Sequence, residues 1–370
     1  MFGIWLLSFC LYFTKYSWLG LVVLTITASF LVISRKQIYL SFQTLVLAIF
    51  IFVFFIYGSF ARLDIWREAA VTSLFHLVSL IVLFDLIKPR FNFTQFLMCA
   101  RILIAICFIT YIAGSVLNYQ HFFLTSAAGL PRFESIFSEP SYLALVLLLF
   151  LAIFLLDKNS VRKYSPEKLA LIVGITLSTT ITGIVGILFL FGILFVSSGW
   201  LKKYALFISF SAAIILFWIF IDKAWMNFFE YRINRIILGE IDRSSYIRLA
   251  GSFQVIYHAL DQAPIFGLGF GHMPTYIEQN YESFQALYKQ DNDGIWYKNT
   301  NVDNGFAWLI FNFGLVGLAS YIFLLLAKIK NKKIPLWFAS TIIFLLFFTG
   351  SFVSPLGLGW IGLQYDDHEV

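Results

Sequence analysis

RFESIFSEPSYLALVLLL, residues 132–149, places an arginine and two glutamates directly before a run of apolar residues that meets no charge until Asp157. A run of that length matches the roughly 17–25 residues an α-helix needs to cross about 30 Å of hydrocarbon. Similar runs recur along almost the whole 370-residue chain, which is 60% hydrophobic and 19% aromatic, with a mean hydropathy of +0.84. One globular core cannot bury so much apolar surface. The composition therefore implies an all-α polytopic membrane protein, since in lipid each spanning segment must satisfy its own backbone polar groups.

Spans are expected near 2–14, 17–34, 38–58, 68–87, 97–118, 138–157, 168–182, 184–198, 203–222, 303–327 and 335–353, about eleven in all. The first stretch, MFGIWLLSFCLYF, lacks the basic flank and small-residue cleavage site of a removable signal and reads as a short first span. Three divisions follow: an N-terminal transmembrane bundle over 1–222, a large loop over 223–302, and C-terminal transmembrane helices with a tail over 303–370. Cys10, Cys99 and Cys107 lie in apolar segments without metal-ligand spacing and read as small hydrophobes.

The formal charge of +6 invites a nucleic-acid reading, but basic residues in such a chain first report topology. With the N-terminus cytoplasmic, fifteen of them, from Arg35 and Lys36 to Lys332 and Lys333, fall in short inner loops or adjoining helix ends. Only Lys15, Arg62, Arg67 and Arg132 fall in the short outer ones. This bias fixes the sidedness, places 223–302 outside, and leaves no charge surplus that calls for nucleic acid.

Several features converge on that outer side. Arg132, Glu134 and Glu139 lie between the fifth and sixth spans. Capping accounts for Ser138, Glu139 and Pro140, because Pro suits a first helical turn and a carboxylate favours a helix N-terminus. It does not account for Arg132 or Glu134. Arg232, Arg235, Arg243 and Arg248 form a second group, with no lysine between 224 and 288. Guanidinium presents a planar fork, always charged, that clasps phosphate oxygens in bidentate fashion. Pairing with Glu230, Glu240 and Asp242, or contact with lipid headgroups, is the plainer alternative, and it suits Arg232 and Arg235 better than Arg243 and Arg248, for which a phosphate role is expected.

GLGFG at 267–271 resembles a nucleotide-binding loop only superficially, since the chain offers no strand–helix unit around it. It is expected to form a tight turn that lets backbone approach a neighbour closely. His258 and His272 lack partnered acidic spacing and do not argue for metal. Asp303 is expected to cap the next helix, with Asn304 in its first turn. STTITGIVG at 178–186 divides one apolar run into two spans, and its small residues would allow close helix packing. Tyr246, Tyr257, Tyr276 and Tyr281 either stack on sugar faces or seat the loop among headgroups.

In that order, an arginine followed by FSEPSYLALVLL, then STTITGIVG, then DRSSYIRLAGSFQVIYHALDQAPIFGLGFG, then DNGFAWLIFNFGLVGL, the chain resembles the Wzy-type O-antigen and capsular repeat-unit polymerases over roughly residues 130–320. The resemblance implies a GT-C-type glycosyltransferase of the cytoplasmic (inner) membrane with its large loop periplasmic or extracytoplasmic. It would transfer a growing glycan from undecaprenyl diphosphate to the non-reducing end of an undecaprenyl-diphosphate-linked repeat unit. Those lipid-linked donor and acceptor glycans, the bilayer and a chain-length-regulating membrane protein are the partners it implies.

Diphosphate binding carries over to Arg132, Arg248 and Arg243; catalysis is expected of Arg132 and Arg248 with a carboxylate at the membrane edge, Glu139 or alternatively Asp303, as the proton acceptor. Substrate contacts would involve His258, His272, Asp303, Asn304 and Tyr246. No cofactor or metal is required, because preplaced arginines can stabilise the departing diphosphate while a carboxylate takes the acceptor's proton. The related ligases usually show a histidine just before the helix opened by DNGFAW, where this chain has Val302. That favours polymerisation over transfer to lipid A-core or protein, and a lipid-linked glycan flippase is the alternative from another class.

Overall fold

Leucine, isoleucine, valine and phenylalanine runs free of proline and charge leave the backbone one economical solution in apolar surroundings, the α-helix. The described residues are accordingly helical nearly throughout. The computed structural model describes residues 2–12, 18–35, 42–61, 68–87, 91–116, 124–127, 130–137, 140–156, 164–178, 180–197, 250–270, 273, 276–277, 280, 304–331 and 334–348.

In chain order the helices are α1 (Phe2–Tyr12), α2 (Trp18–Arg35), α3 (Phe42–Ala61), α4 (Glu68–Ile87), α5 (Phe93–Val116), α6 (Pro140–Leu156), α7 (Ser165–Leu177), α8 (Ile181–Ser197), α9 (Ala250–Gln262), α10 (Gly305–Lys330) and α11 (Leu336–Leu346). Between α5 and α6, strands β1 (Leu124–Ala127) and β2 (Leu130–Phe133) form an antiparallel hairpin that pairs Thr125 with Arg132. The expected span at 203–222 lies outside the described residues.

Two helical stretches, Phe93–Ser115 and Gly305–Lys330, are long and apolar enough to cross a membrane. Others are shorter: α1, at 11 residues, extends only about 16 Å at 1.5 Å per residue. The chain folds as two units, and the division falls within α5. One gathers Met1–Tyr12, Tyr16–Phe96 and Gly239–Val370; the other comprises Phe13–Lys15 and Leu97–Leu238.

In the second unit, α6 is apolar all round and correspondingly buried all round. Every residue from Leu143 to Phe154 is buried, as expected for a helix without a polar face. Helices α7 and α8 pack on it through small residues. A Cβ at Gly174 would lie 2.8 Å from Leu147, one at Gly183 would lie 3.3 Å from Ala144, and one at Gly186 would run into Leu148. The break between α7 and α8 is built from hydroxyls. Ser178 Oγ donates to the Ile175 carbonyl at 2.6 Å, and Thr180 Oγ1 accepts from Gly183 N–H at 3.1 Å as the cap of α8. STTITGIVG thus folds as a capped break with close packing, at 178–180 and slightly earlier than expected.

In the first unit, α1 packs on α2, α2 and α3 on α4, and α9 and α11 on α10. Helix α2 buries Leu24, Ala28 and Leu31 and exposes Ile26, Phe30 and Ile33 on its other side. Apolar residues on both faces of a surface helix suit hydrocarbon on one side and protein on the other. Phe52 and Val53 of α3 are exposed in the same way, while Ile51, Phe54 and Phe55 are buried. Helix α5 starts at Phe93, earlier than the expected 97, because Asn92 caps it by accepting from Gln95 N–H at 2.9 Å.

Candidate functional site

The stretch between α5 and α6 is not a plain loop. Arg132 sits on β2, half-buried, and Glu134 immediately after it is buried. A tight turn follows, in which Phe137 N–H donates to the Glu134 carbonyl at 3.1 Å. Ser135 occupies the left-handed region at φ 54°, a conformation uncommon for a non-glycine residue that persists only where its surroundings fix it.

The fixing contacts are visible. Ser135 Oγ and Thr110 Oγ1 of α5 lie 2.8 Å apart, both buried. Phe133 meets Tyr111 of α5 edge to face at a centroid distance of 5.6 Å, and Phe137 is fully buried. Arg132 therefore stands on a short hairpin pinned to α5, five residues before the turn closes at Phe137 and eight before α6 starts at Pro140. Nine residues before Thr110 on the same helix, Arg101 forms an ion pair with Glu167 of α7 at 2.9 Å.

In the first unit, α9 turns its buried face, including Val255 and Ala259, onto Ala307, Ile310 and Phe311 of α10. His258 is half-buried, edge-on to Tyr276 at 6.2 Å and to Tyr257 at 5.9 Å. Tyr276 is buried against Phe311 at 5.4 Å, so it serves neither as a sugar platform nor as a headgroup anchor. Tyr257 stays exposed. Gln254 and Ser252, which the sequence reading passed over, are also buried on α9. Ser252 falls on the inner stripe set by Val255 and Ala259, the signal that could have found it, whereas Gln254 lies off that stripe and the helical period gives no signal for it.

Asn304 is itself the cap of α10. Its Oδ1 accepts from Phe306 and Ala307 N–H, each at 3.0 Å, and its Nδ2 donates to the Phe347 carbonyl beyond α11 at 3.2 Å. The expectation of a first-turn Asn304 is corrected accordingly: the helix starts one residue later, at Gly305.

Helix α10 is broken at Gly314, whose φ of 61° and ψ of −158° only glycine adopts readily. The turn after α9 fills the break. Leu268 N–H donates to the Phe311 carbonyl at 2.7 Å, Leu315 N–H to the Pro264 carbonyl at 2.9 Å, and Val316 N–H to the Ile265 carbonyl at 3.1 Å. GLGFG accordingly does what was expected of it, bringing backbone against a neighbour, and that neighbour is α10.

Of the sequence-predicted site residues, Arg132, His258 and Asn304 are placed as described. Glu139, Arg243, Tyr246, Arg248, His272 and Asp303 lie outside the described residues. Among the described residues, no group of three or more His, Cys, Asp or Glu side chains is arranged to hold a metal ion. Compared with known proteins, the chain matches no family model and no curated sequence.

Proposed function

We propose that the protein is a lipid-linked repeat-unit polymerase of the cytoplasmic membrane, with about eleven spans, a cytoplasmic N-terminus and residues 223–302 outside. The observation that carries this reading is the presentation of Arg132. An arginine that breaks the positive-inside pattern is held half-buried on a hairpin fixed to α5 by the Thr110–Ser135 contact. Catalytic electrostatics depend on charges set in place before the reaction, and a pinned hairpin supplies one. The ordered motifs shared with the Wzy-type polymerases give the reading its substrate.

In this scheme the glycosidic bond from the glycan's anomeric carbon to the diphosphate oxygen breaks. The electron pair leaves with undecaprenyl diphosphate, whose growing negative charge calls for guanidinium, the role that the resemblance assigns to Arg132, Arg248 and Arg243. The acceptor sugar hydroxyl forms the new bond to that carbon and loses its proton to Glu139. Two opposed helix ends at a break often form the substrate site of a transporter. At Gly314 the freed amides of Leu315 and Val316 already meet the carbonyls of Pro264 and Ile265, which leaves that end of the half-helix capped by the chain itself.

The test is to give purified protein in vesicles a lipid-linked repeat unit as donor, with either a second repeat unit or a lipid A-core as acceptor. The reading predicts ladders of longer lipid-linked glycan with the first acceptor alone. Product only on the core acceptor would instead make it a ligase.

A further inference from the structure

We infer that the turn after α9, residues 264–268, is a re-entrant element whose apex, Ile265 and Phe266, enters the bilayer hydrocarbon and meets lipid acyl chains. This goes beyond the polymerase reading and rests on α3 and α10 crossing the membrane.

Depth can be read along two helices. Lys328 and Lys330 close α10, and counting back the roughly 20 residues that cross about 30 Å places the opposite hydrocarbon edge near Trp308. Val316, which donates to the Ile265 carbonyl at 3.1 Å, is then roughly 12 Å inside that edge at 1.5 Å per residue. Independently, the Phe266 ring meets that of Phe54, near the middle of the 20-residue α3, tilted by 57° at a centroid distance of 6.0 Å.

Hydrocarbon admits irregular backbone only where protein satisfies its polar groups. The turn meets that condition. Gly267 N–H bonds the Ala263 carbonyl at 2.8 Å, Leu268 N–H the Phe311 carbonyl, and the Pro264 and Ile265 carbonyls accept from α10. Residues 267–270 are buried.

What remains outward is apolar: Ile265 is 56% and Phe266 48% exposed, and comparably exposed are Leu315 of α10, whose N–H bonds the turn at Pro264, and Val53 of α3, next in sequence to the Phe54 that Phe266 meets. Those neighbours are span residues, so the occupant that continues across them is the acyl-chain layer. One helical turn back, roughly 6 Å nearer the edge, Asp261 and Gln262 are exposed and mark where the polar boundary lies.

The test uses the full chain carrying Cys10→Ala, Cys99→Ala and Cys107→Ala, reconstituted in phosphatidylglycerol–phosphatidylethanolamine vesicles. Nitroxides are attached singly at Ile265→Cys, Phe266→Cys, Asp261→Cys and, on the exposed mid-span face of α10, Phe323→Cys. The inference predicts that dissolved oxygen relaxes the labels at 265, 266 and 323 several-fold more than a water-soluble nickel chelate does, with the preference reversed at 261. It is overturned if the labels at 265 and 266 prefer the chelate while that at 323 prefers oxygen. It is equally overturned if both apex labels are shielded from both reagents, which would mean a protein partner or second copy covers them. A chelate-accessible label at 323 removes the span itself and the inference with it. Glycan elongation by the same vesicles is scored separately, so failure here is distinguishable from failure of the polymerase reading.

Discussion

Gly267 and Gly314 meet backbone to backbone: a Cβ on Gly267 would lie 2.6 Å from the Gly314 nitrogen, and one on Gly314 would lie 2.5 Å from the Gly267 nitrogen. Both residues have positive φ, 75° and 61°. Neither can gain a side chain without separating the turn from α10. Gly267→Ala or Gly314→Ala should each cost about 3 kcal/mol or more, combining left-handed strain with a clash against main chain that cannot rotate away. Gly192→Ala is the matched control, since a Cβ there meets nothing within 4 Å. It should be neutral or stabilising by about 0.5–1 kcal/mol through helix propensity. Thermal unfolding in detergent, followed by circular dichroism, reads all three.

The Thr110–Ser135 contact holds the hairpin that carries Arg132. Thr110→Val keeps shape and removes the hydroxyl, leaving the Ser135 hydroxyl without this partner in a buried position. The expected loss is about 1–3 kcal/mol. If the hairpin positions Arg132, elongation should fall more than the amount of folded protein does, when both are measured on the same membranes. Equal losses would reduce the contact to a stabilising role.

Asn304 links the start of α10 to the end of α11. Asn304→Ala should cost about 1–2 kcal/mol through the lost cap. Asn304→Asp keeps the acceptor for Phe306 and Ala307 N–H but loses the Nδ2 donor to Phe347, so it should fall between wild type and the alanine variant. An aspartate variant as unstable as alanine would show that the link to Phe347 outweighs the cap.

Where one face of the pattern was enough, the sequence was legible. Helices α2 to α4, α6 and α10 follow from uninterrupted apolar runs, and Pro140 correctly marks the first residue of α6. Other features required partners distant in the chain. The hairpin over 124–133 escaped notice because LTSA and LPRF are too short to show an alternating pattern, and their register depends on the pinning to α5. The break at Gly314 is invisible in LIFNFGLVGL, since a glycine inside an apolar helix is ordinary until another backbone arrives to take up its freed hydrogen bonds. Burial of Glu134 and Tyr276, likewise, is set by what packs over them and not by their neighbours in sequence.

The central claim is that Arg132 meets diphosphate with its guanidinium fork, and a comparison of alanine and lysine at this position tests it most directly. Elongation of an undecaprenyl-diphosphate-linked repeat unit is measured with purified Arg132→Ala and Arg132→Lys in vesicles, alongside Arg248→Ala and a wild-type control of equal folded content. A transition-state contact of the oxyanion-hole kind predicts a loss of about 100-fold or more for each alanine variant. Lysine should restore little at position 132, because a point charge does not replace a bidentate fork. Product ladders of wild-type length and rate from Arg132→Ala would contradict the account.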